Sequence, residues 1–191
     1  SSISRQPISM EDIKKVQSLC RDIDDEMRWL IALISDTGMR LGEAAGLHLD
    51  DIRLNEPIPH IDLKPHPWRS LKTKGSERSI PLIGVALWAA RRIVSNGMES
   101  KLAFPRYCNE VACNANSASN GLNKWLHQTM PKRVVIHSFR HSLRDRLRAV
   151  ECPTEVVDAI GVWQVALVGQ RYGNGYPLKV LMAWLTKIEL D

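Results

Sequence analysis

Apolar residues recur at helical spacing over most of this 191-residue chain. The first such segment follows Ser9, where a hydroxyl and the acid Asp12 three residues later match a capping box. A second segment runs from about Asp24 to Gly38, a residue type that commonly ends a helix. The same spacing predicts further helices at residues 41–47, 85–94, 117–130, 138–150, 153–161 and 178–188.

Between the third and fourth of these helices the pattern changes to alternation, which is typical of strands. Residues 60–63 (His-Ile-Asp-Leu) alternate, and so do residues 69–72 and 78–82. Residues 73–77 (Thr-Lys-Gly-Ser-Glu) would form the tip of a hairpin between the last two segments. Helices, a small antiparallel sheet and more helices, in that order, predict a mostly α, α+β single domain.

The composition is that of an ordered globular protein. The chain is 44% hydrophobic and 25% charged, which excludes a mostly disordered protein. No apolar run is long enough for a membrane-spanning helix, and residues 1–5 show no signal peptide. Of the four cysteines only Cys108 and Cys113 are close, and no second pair stands at zinc spacing. We therefore expect buried or idle thiols in a reducing cytoplasm.

Charge is distributed unevenly along the chain. Residues 64–148 carry 16 Lys and Arg against 4 Asp and Glu, a net charge of +12. The remaining residues carry 10 basic and 17 acidic side chains, a net charge of −7. A basic middle region favours a nucleic-acid partner, although a solvated, unevenly charged surface would give the same count.

Three short segments could carry phosphate chemistry. Arg40 follows Gly38 at the start of a helix, where its guanidinium could bind a phosphate and Glu43 could orient it. Taken alone, Arg40 and Glu43 could equally be an ordinary surface ion pair. His137 and Arg140 share one face at another helix start and could bind phosphate oxygens together.

The alternative for the His137 segment is a helix whose basic side chains serve solubility, and His141 is expected to pack or bind backbone. In the third segment, Trp163 offers one N–H donor. Tyr172 follows nine residues later. A tyrosine hydroxyl acts as a nucleophile only with help in losing its proton, and most tyrosines are structural.

Taken together, these segments resemble the catalytic domain of the tyrosine recombinase (phage integrase) family over nearly the whole chain. "TGMRLGEAAGL" resembles the box of the first arginine, "HSFRH" the His-x-x-Arg box, and "IGVW" with "RYG" the closing box. "SLKTKGSERSIPL" resembles the strand pair that bears the catalytic lysine. The intervals of 23 residues from Arg140 to Trp163, and of nine from Trp163 to Tyr172, also match. Trp163 stands where most members have His.

The resemblance implies the DNA breaking-rejoining fold and a transesterification that needs neither metal nor cofactor. Tyr172 would form a 3′-phosphotyrosine link to DNA, and Arg40 and Arg140 would neutralise the phosphate. Six residues are implied as catalytic: Arg40, Lys72, His137, Arg140, Trp163 and Tyr172. Lys72 fits the position of the general acid best, and Lys74 is the alternative. Glu43 and His141 would contact the catalytic residues and not the DNA.

The resemblance also sets expectations for the whole molecule. Residues 1–191 should be one catalytic domain without the family's N-terminal DNA-clamping domain, in a fragment or a naturally short member. Its partners would be double-stranded DNA, further copies in a tetramer and accessory DNA-bending proteins, with no membrane. It would act in a bacterial cytoplasm at the nucleoid, encoded by the bacterium or a phage.

Two other functions stay open from the sequence. One is strand relaxation like that of a type IB topoisomerase, and the other is a DNA-binding module that keeps the fold but not catalysis. A separate expectation concerns the last helix, whose apolar positions 178, 181, 182, 185 and 188 share one face. That face would either dock on a neighbouring protomer or cover the domain's own core.

Overall fold

A computed structural model describes residues 7–97, 100–131, 133–164 and 175–190. The helices within these residues are α1 (Met10–Ile23), α2 (Glu26–Thr37), α3 (Leu41–Ala45), α4 (Gly84–Ser95), α5 (Ala115–Thr129), α6 (Ile136–Ala149), α7 (Thr154–Gly161) and α8 (Leu178–Thr186). The strands are β1 (Ile52–Arg53), β2 (His60–Leu63) and β3 (Arg78–Pro81). None of the described helices is both long and apolar enough to cross a bilayer. The mostly α, α+β prediction is confirmed.

Local signals in the sequence explain where the first helices begin and end. Ser9 Oγ accepts from the Asp12 amide at 3.1 Å and caps α1. The carboxylate of Asp25 caps α2 in the same way, at 3.0 Å from the Arg28 amide. Gly38 ends α2 in the left-handed conformation, with φ of +71°. A Cβ there would also lie 2.7 Å from Leu143 of α6, so glycine lets α2 and α6 approach closely.

The sheet is antiparallel, in the order β1-β2-β3. Ile61 at its centre pairs with Ile52 on one side and Ile80 on the other. The prediction of a strand at residues 69–72 was wrong, because β3 pairs with β2 and residues 64–77 form the connection. Arg69 is buried there, and its guanidinium donates to the carbonyls of Lys64 (2.8 Å) and Glu43 (3.2 Å). These contacts hold the segment against α3, so it does not pair with a strand of the sheet.

Helix α2 forms the centre of the core. Leu30, Ile31 and Leu33 are fully buried, and α2 packs against α1, α4 and α6. One buried ion pair crosses this core, from Asp36 of α2 to Arg146 of α6 at 3.0 Å. The Asp36 carboxylate also accepts from the Gln17 amide and the Val85 backbone, so its lone pairs are satisfied within the protein.

Helix α8 covers this domain's own core. Leu181, Leu185 and Ile188 are buried, and the helix packs against β3. Arg146 Nη2 donates to the Ile188 carbonyl at 2.7 Å and joins the end of α8 to the core. The apolar face that could have docked on a neighbouring protomer is therefore occupied within the chain.

Two of the four cysteines form a disulfide, and the other two are free thiols. Cys108 and Cys113 form a disulfide that closes a short loop, so the expectation of idle thiols was wrong for this pair. Cys20 and Cys152 are free and buried, as expected. Burial raises the pKa of the Cys20 thiol to about 12, which leaves it protonated and unreactive at neutral pH.

Candidate functional site

The first arginine of the site lies in the short turn between α2 and α3. Gly38 ends α2, and Arg40 takes an extended conformation as the N-cap residue of α3. Its guanidinium donates from Nη2 to the Val162 carbonyl at 3.0 Å. The side chain keeps 23% of its surface exposed. This arginine is fixed by the protein and still accessible from solvent.

The second arginine reaches the same point from α6. Arg140 is buried, with 3% of its surface exposed. Its Nη1 donates to the Gly38 carbonyl at 2.8 Å, and its Nη2 donates to the Val162 carbonyl at 3.1 Å. Arg40 and Arg140, a hundred residues apart in sequence, therefore both donate to one backbone acceptor, the Val162 carbonyl.

Packing two cations together has an electrostatic cost. The pKa of Arg140 is lowered to about 9, first by burial and then by the nearby positive charges of Arg40 and Arg78. An anion bound between the guanidiniums would offset this repulsion and raise the pKa of Arg140 again. The pair is therefore a site where a phosphate is electrostatically favoured.

Glu43 of α3 lies under Arg40, as the sequence predicted. Its Oε1 accepts from the Arg40 backbone amide at 2.9 Å, and its Oε2 lies 3.3 Å from Arg40 Nη1. It also forms a two-point ion pair with Arg78 of β3, with both N–O distances at 3.0 Å. Burial would raise the pKa of Glu43, but the hydrogen bonds and charge of Arg78, together with Arg40, hold it below its usual value.

Trp163 covers Arg140. Its ring lies 4.8 Å from the Arg140 guanidinium carbon, within the range of a cation–π contact. A Cβ on Gly161 would overlap the Trp163 ring, so the glycine makes room for the indole. The indole nitrogen of Trp163 is buried and has no hydrogen-bond partner among the residues that the structure describes. A buried N–H donor is costly to leave unpaired, and a ligand oxygen would satisfy it.

The two histidines of the HSFRH segment, His137 and His141, lie on the first turns of α6. His137 is exposed and His141 is half-buried. Their rings meet edge to face with centroids 4.7 Å apart. The sequence placed His137 on the same helix face as Arg140, and its exposure leaves it accessible to a ligand from solvent.

Both candidate lysines lie on the connection between β2 and β3. Lys72 precedes a single 3₁₀ turn, Lys74–Ser76, and both lysine side chains are exposed. The start of this connection is anchored to the end of α3, because the Trp68 indole donates to the Gly46 carbonyl at 2.9 Å. The choice between Lys72 and Lys74 stays open.

Tyr172, the predicted nucleophile, lies outside the described residues. The two other tyrosines are engaged elsewhere. Tyr107 is 6% exposed, and burial raises the pKa of its hydroxyl. Tyr176 donates to Glu155 at 2.9 Å, and this hydrogen bond raises the pKa of its hydroxyl. A raised pKa disfavours the phenolate form of both hydroxyls.

Comparison with known families gives the context for this geometry. The sequence profile of the phage integrase family matches residues 8–176, most of the chain. The chain belongs to the phage integrase family. Comparison with curated protein sequences gave no match.

Solved structures agree with this phage integrase assignment at the level of the fold. XerA recombinase is 13% identical with a TM-score of 0.65, over 100% of this chain and 61% of that one. XerH recombinase bound to its difH substrate is 18% identical with a TM-score of 0.62, over 93% and 52%. The Tn1549 transposon integrase in complex with circular intermediate DNA is 15% identical with a TM-score of 0.61, over 96% and 65%. The chain thus spans between about half and two thirds of these proteins.

One residue of this phage integrase site was missed by the sequence analysis. Residues 78–82 were predicted as a strand of the lysine-bearing hairpin, and no role was assigned to Arg78. The structure places it against Glu43, with only 6% of its side chain exposed. An arginine in an edge strand, four residues after Lys74, was a weak signal, since it is equally typical of a solvated surface.

Proposed function

We propose that this chain is the catalytic domain of a site-specific DNA recombinase. The observation that carries the proposal is the convergence of Arg40 and Arg140 on the Val162 carbonyl. Two fixed guanidiniums at one point provide charge where a phosphodiester gains it during substitution. Membership of the phage integrase family supports DNA as the substrate.

The reaction is a transesterification. The Tyr172 oxygen attacks the scissile phosphorus, a 3′-phosphotyrosyl bond forms, and the bond to the 5′-oxygen breaks. The tyrosine proton leaves, and the 5′-oxygen gains a proton. Because the number of phosphoester bonds is unchanged, a 5′-hydroxyl from another strand can reverse the step and complete recombination without ATP.

Each remaining residue has a proposed role. Lys72 protonates the leaving 5′-oxygen as general acid, with Lys74 as the alternative. His137 assists the tyrosine proton or holds the phosphate, and Trp163 donates its N–H to a non-bridging oxygen. Glu43 and His141 support Arg40 and His137. The Trp163 N–H, which no described residue accepts from, and the exposed His137 agree with these roles.

The step is proposed to be independent of metal. The charge that a divalent ion would supply is carried here by two guanidiniums, which are permanently positive at neutral pH. Cleavage should therefore proceed in excess chelator. A requirement for added magnesium would contradict this part of the mechanism.

The proposed partners follow from the reaction. They are double-stranded DNA, further copies of the chain in a tetramer on two duplexes, and accessory DNA-bending proteins. XerH and the Tn1549 integrase are described bound to DNA, which supports the first of these. The proposed setting is a bacterial cytoplasm at the nucleoid, and residues 1–191 are proposed to be one domain.

The decisive experiment captures the covalent intermediate. The protein is incubated with a library of duplexes that carry a randomised central segment and a nick, so that cleavage releases a short strand and cannot reverse. Adducts that survive denaturation are recovered and sequenced, and the enriched sequence is resynthesised as a defined suicide substrate.

Three proteins are then compared on that substrate: the parent chain, Tyr172→Phe and the matched control Tyr176→Phe. The parent and Tyr176→Phe should form adducts, and Tyr172→Phe should form none while binding DNA normally. If the parent chain forms no adduct, the proposed function is wrong. Relaxation of a supercoiled plasmid without strand exchange would indicate topoisomerase-like activity instead.

A further inference from the structure

We propose that Arg78 is a positioning residue for the cleavage step, holding Arg40 and the segment before Trp163 in place for the scissile phosphate. The inference rests on the proposed function. Arg78 lies on β3, within the segment that resembles the family's lysine-bearing strand pair but with no role assigned to it from the sequence, and its guanidinium donates in three directions at once.

The first direction is the Glu43 carboxylate, bound at two points with both N–O distances at 3.0 Å. The second is the Ser76 carbonyl, 2.6 Å from Nη1. The third is the Ile160 carbonyl at the end of α7, 2.7 Å from Nε. One side chain therefore joins α3, the end of the β2–β3 connection and the last turn of α7.

Each of these three elements carries part of the site. Glu43 holds Arg40 through its backbone amide and guanidinium. Ile160 comes two residues before Val162, whose carbonyl binds both arginines, and three before Trp163. Ser76 closes the connection on which Lys72 and Lys74 lie. A shift of Arg78 would therefore move several proposed catalytic groups together.

The contacts require an arginine. A lysine has one nitrogen and cannot bind Glu43 at two points while also reaching two carbonyls in other directions. A buried ion pair of this kind is weak evidence for stability, because apolar residues of similar volume often serve as well. The planar, directional contacts are what an apolar replacement would lose.

Arg78 is distinguished from a third phosphate-binding cation by its partners. Its side chain is 6% exposed, and each of its three nitrogens donates to the protein. Contact with a phosphate would require breaking the two-point pair with buried Glu43. Arg78 therefore acts through other residues and not on the substrate.

The test compares Arg78→Lys with Arg146→Lys. Arg146 is also a buried arginine paired with a buried acid, Asp36, and its hydrogen bonds among the described residues go to Ser35, Asp36 and Ile188, none of them a proposed site residue. Adduct formation is followed in single turnover on two substrates. One carries the normal phosphodiester, and the other a methylphosphonate at the scissile position, which lacks one anionic oxygen and needs less charge neutralisation.

If Arg78 positions Arg40, Arg78→Lys should cleave the phosphodiester about 100-fold more slowly, the size of effect expected when a reacting group is misplaced by about 1 Å. The loss on the methylphosphonate should be at least 10-fold smaller. Arg146→Lys should lose the same, small factor on both substrates. DNA affinity should be unchanged for either variant.

A second measurement places the effect at Arg40. The double variant of Arg40→Lys and Arg78→Lys should be no slower than Arg40→Lys alone, because the positioned group is already lost. Equal losses on the two substrates, or additive losses in the double variant, would overturn the proposal. If Arg78→Lys does not fold, Glu43→Gln applies the same test from the other side of the pair. Failure of the parent chain to form any adduct would contradict the proposed function itself, not this inference.

Discussion

Arg40 and Arg140 donate to the same atom, the carbonyl oxygen of Val162, at 3.0 and 3.1 Å. Val162 is in the left-handed conformation, with φ of +54°, directly before Trp163. A β-branched residue pays for this conformation, so the surrounding contacts must hold it there. The carbonyl thereby sets the spacing of the two guanidiniums before any DNA binds.

Replacing Arg140 with lysine should separate binding from chemistry. Lysine cannot donate to Gly38 and Val162 in the same fixed geometry, so Arg140→Lys should slow cleavage by about 100-fold or more. Arg148→Lys, on an exposed position of the same helix, is the matched control and should cleave normally. Single-turnover adduct formation and a gel-shift titration measure the two effects. Normal cleavage by Arg140→Lys would remove Arg140 from the mechanism.

The general acid can be identified with a substrate that does not need one. A 5′-bridging sulfur leaves as a stable thiolate, so protonation of the leaving group no longer limits the rate. Lys72→Ala should be slow on normal DNA and close to the parent rate on the sulfur substrate, whereas Lys74→Ala should be near normal on both. Rescue of Lys74→Ala instead would move the role to Lys74. Rescue of neither would leave the lysines as DNA contacts only.

Shortening a buried side chain of α8 should destabilise the folded protein. Leu185 is fully buried in the core, so Leu185→Ala should lower the free energy of unfolding by about 2–5 kcal/mol. Leu178→Ala, at a half-buried position of the same helix, should cost clearly less. Urea unfolding followed by circular dichroism gives both values. Equal and negligible costs would mean that α8 does not pack on the core in solution.

Glu43 should make stability depend on acid. Its pKa in the folded protein is lowered from the ordinary 4.5, so its contribution is fully present above pH 4.5 and is lost as the pH falls through the folded value. Glu43→Gln should therefore be less stable than the parent at pH 7, and the difference should shrink below about pH 4.5. Urea midpoints from pH 3 to 7 measure this. The exposed Glu11→Gln is the control, and a constant difference for Glu43→Gln would refute the pairing.

Much of this fold could be predicted from the sequence because its signals are local. Ser9 and Gly38 mark helix boundaries through hydrogen bonds and a backbone conformation that involve only nearby residues. The prediction of a strand at residues 69–72 was wrong because the conformation of this segment depends on a contact between Arg69 and the Glu43 carbonyl, 26 residues away in sequence. Alternation alone cannot reveal such a tertiary contact.

The same distinction between local and tertiary signals applies to the site. The positions of Arg40, Glu43, Arg140 and Trp163 followed from motifs, and the structure brings these four side chains together. Arg78 was missed because its role exists only through Glu43, which comes from another part of the chain. The assignment of Tyr172 as nucleophile stays a prediction from spacing.

Gly161 and Trp163 form a pair matched in size. The indole occupies the space where a side chain at residue 161 would stand, and its far edge reaches within 3.2 Å of where a Cβ on Gly38 would lie. Most members of the family have histidine at the position of Trp163, and an imidazole is too small to fill this space. Exchanging Trp163 for histidine would open a cavity between α2 and α7, and the lost packing would loosen the wall behind Arg140. Restoring the family's usual residue at this one position would thus require a compensating larger side chain nearby.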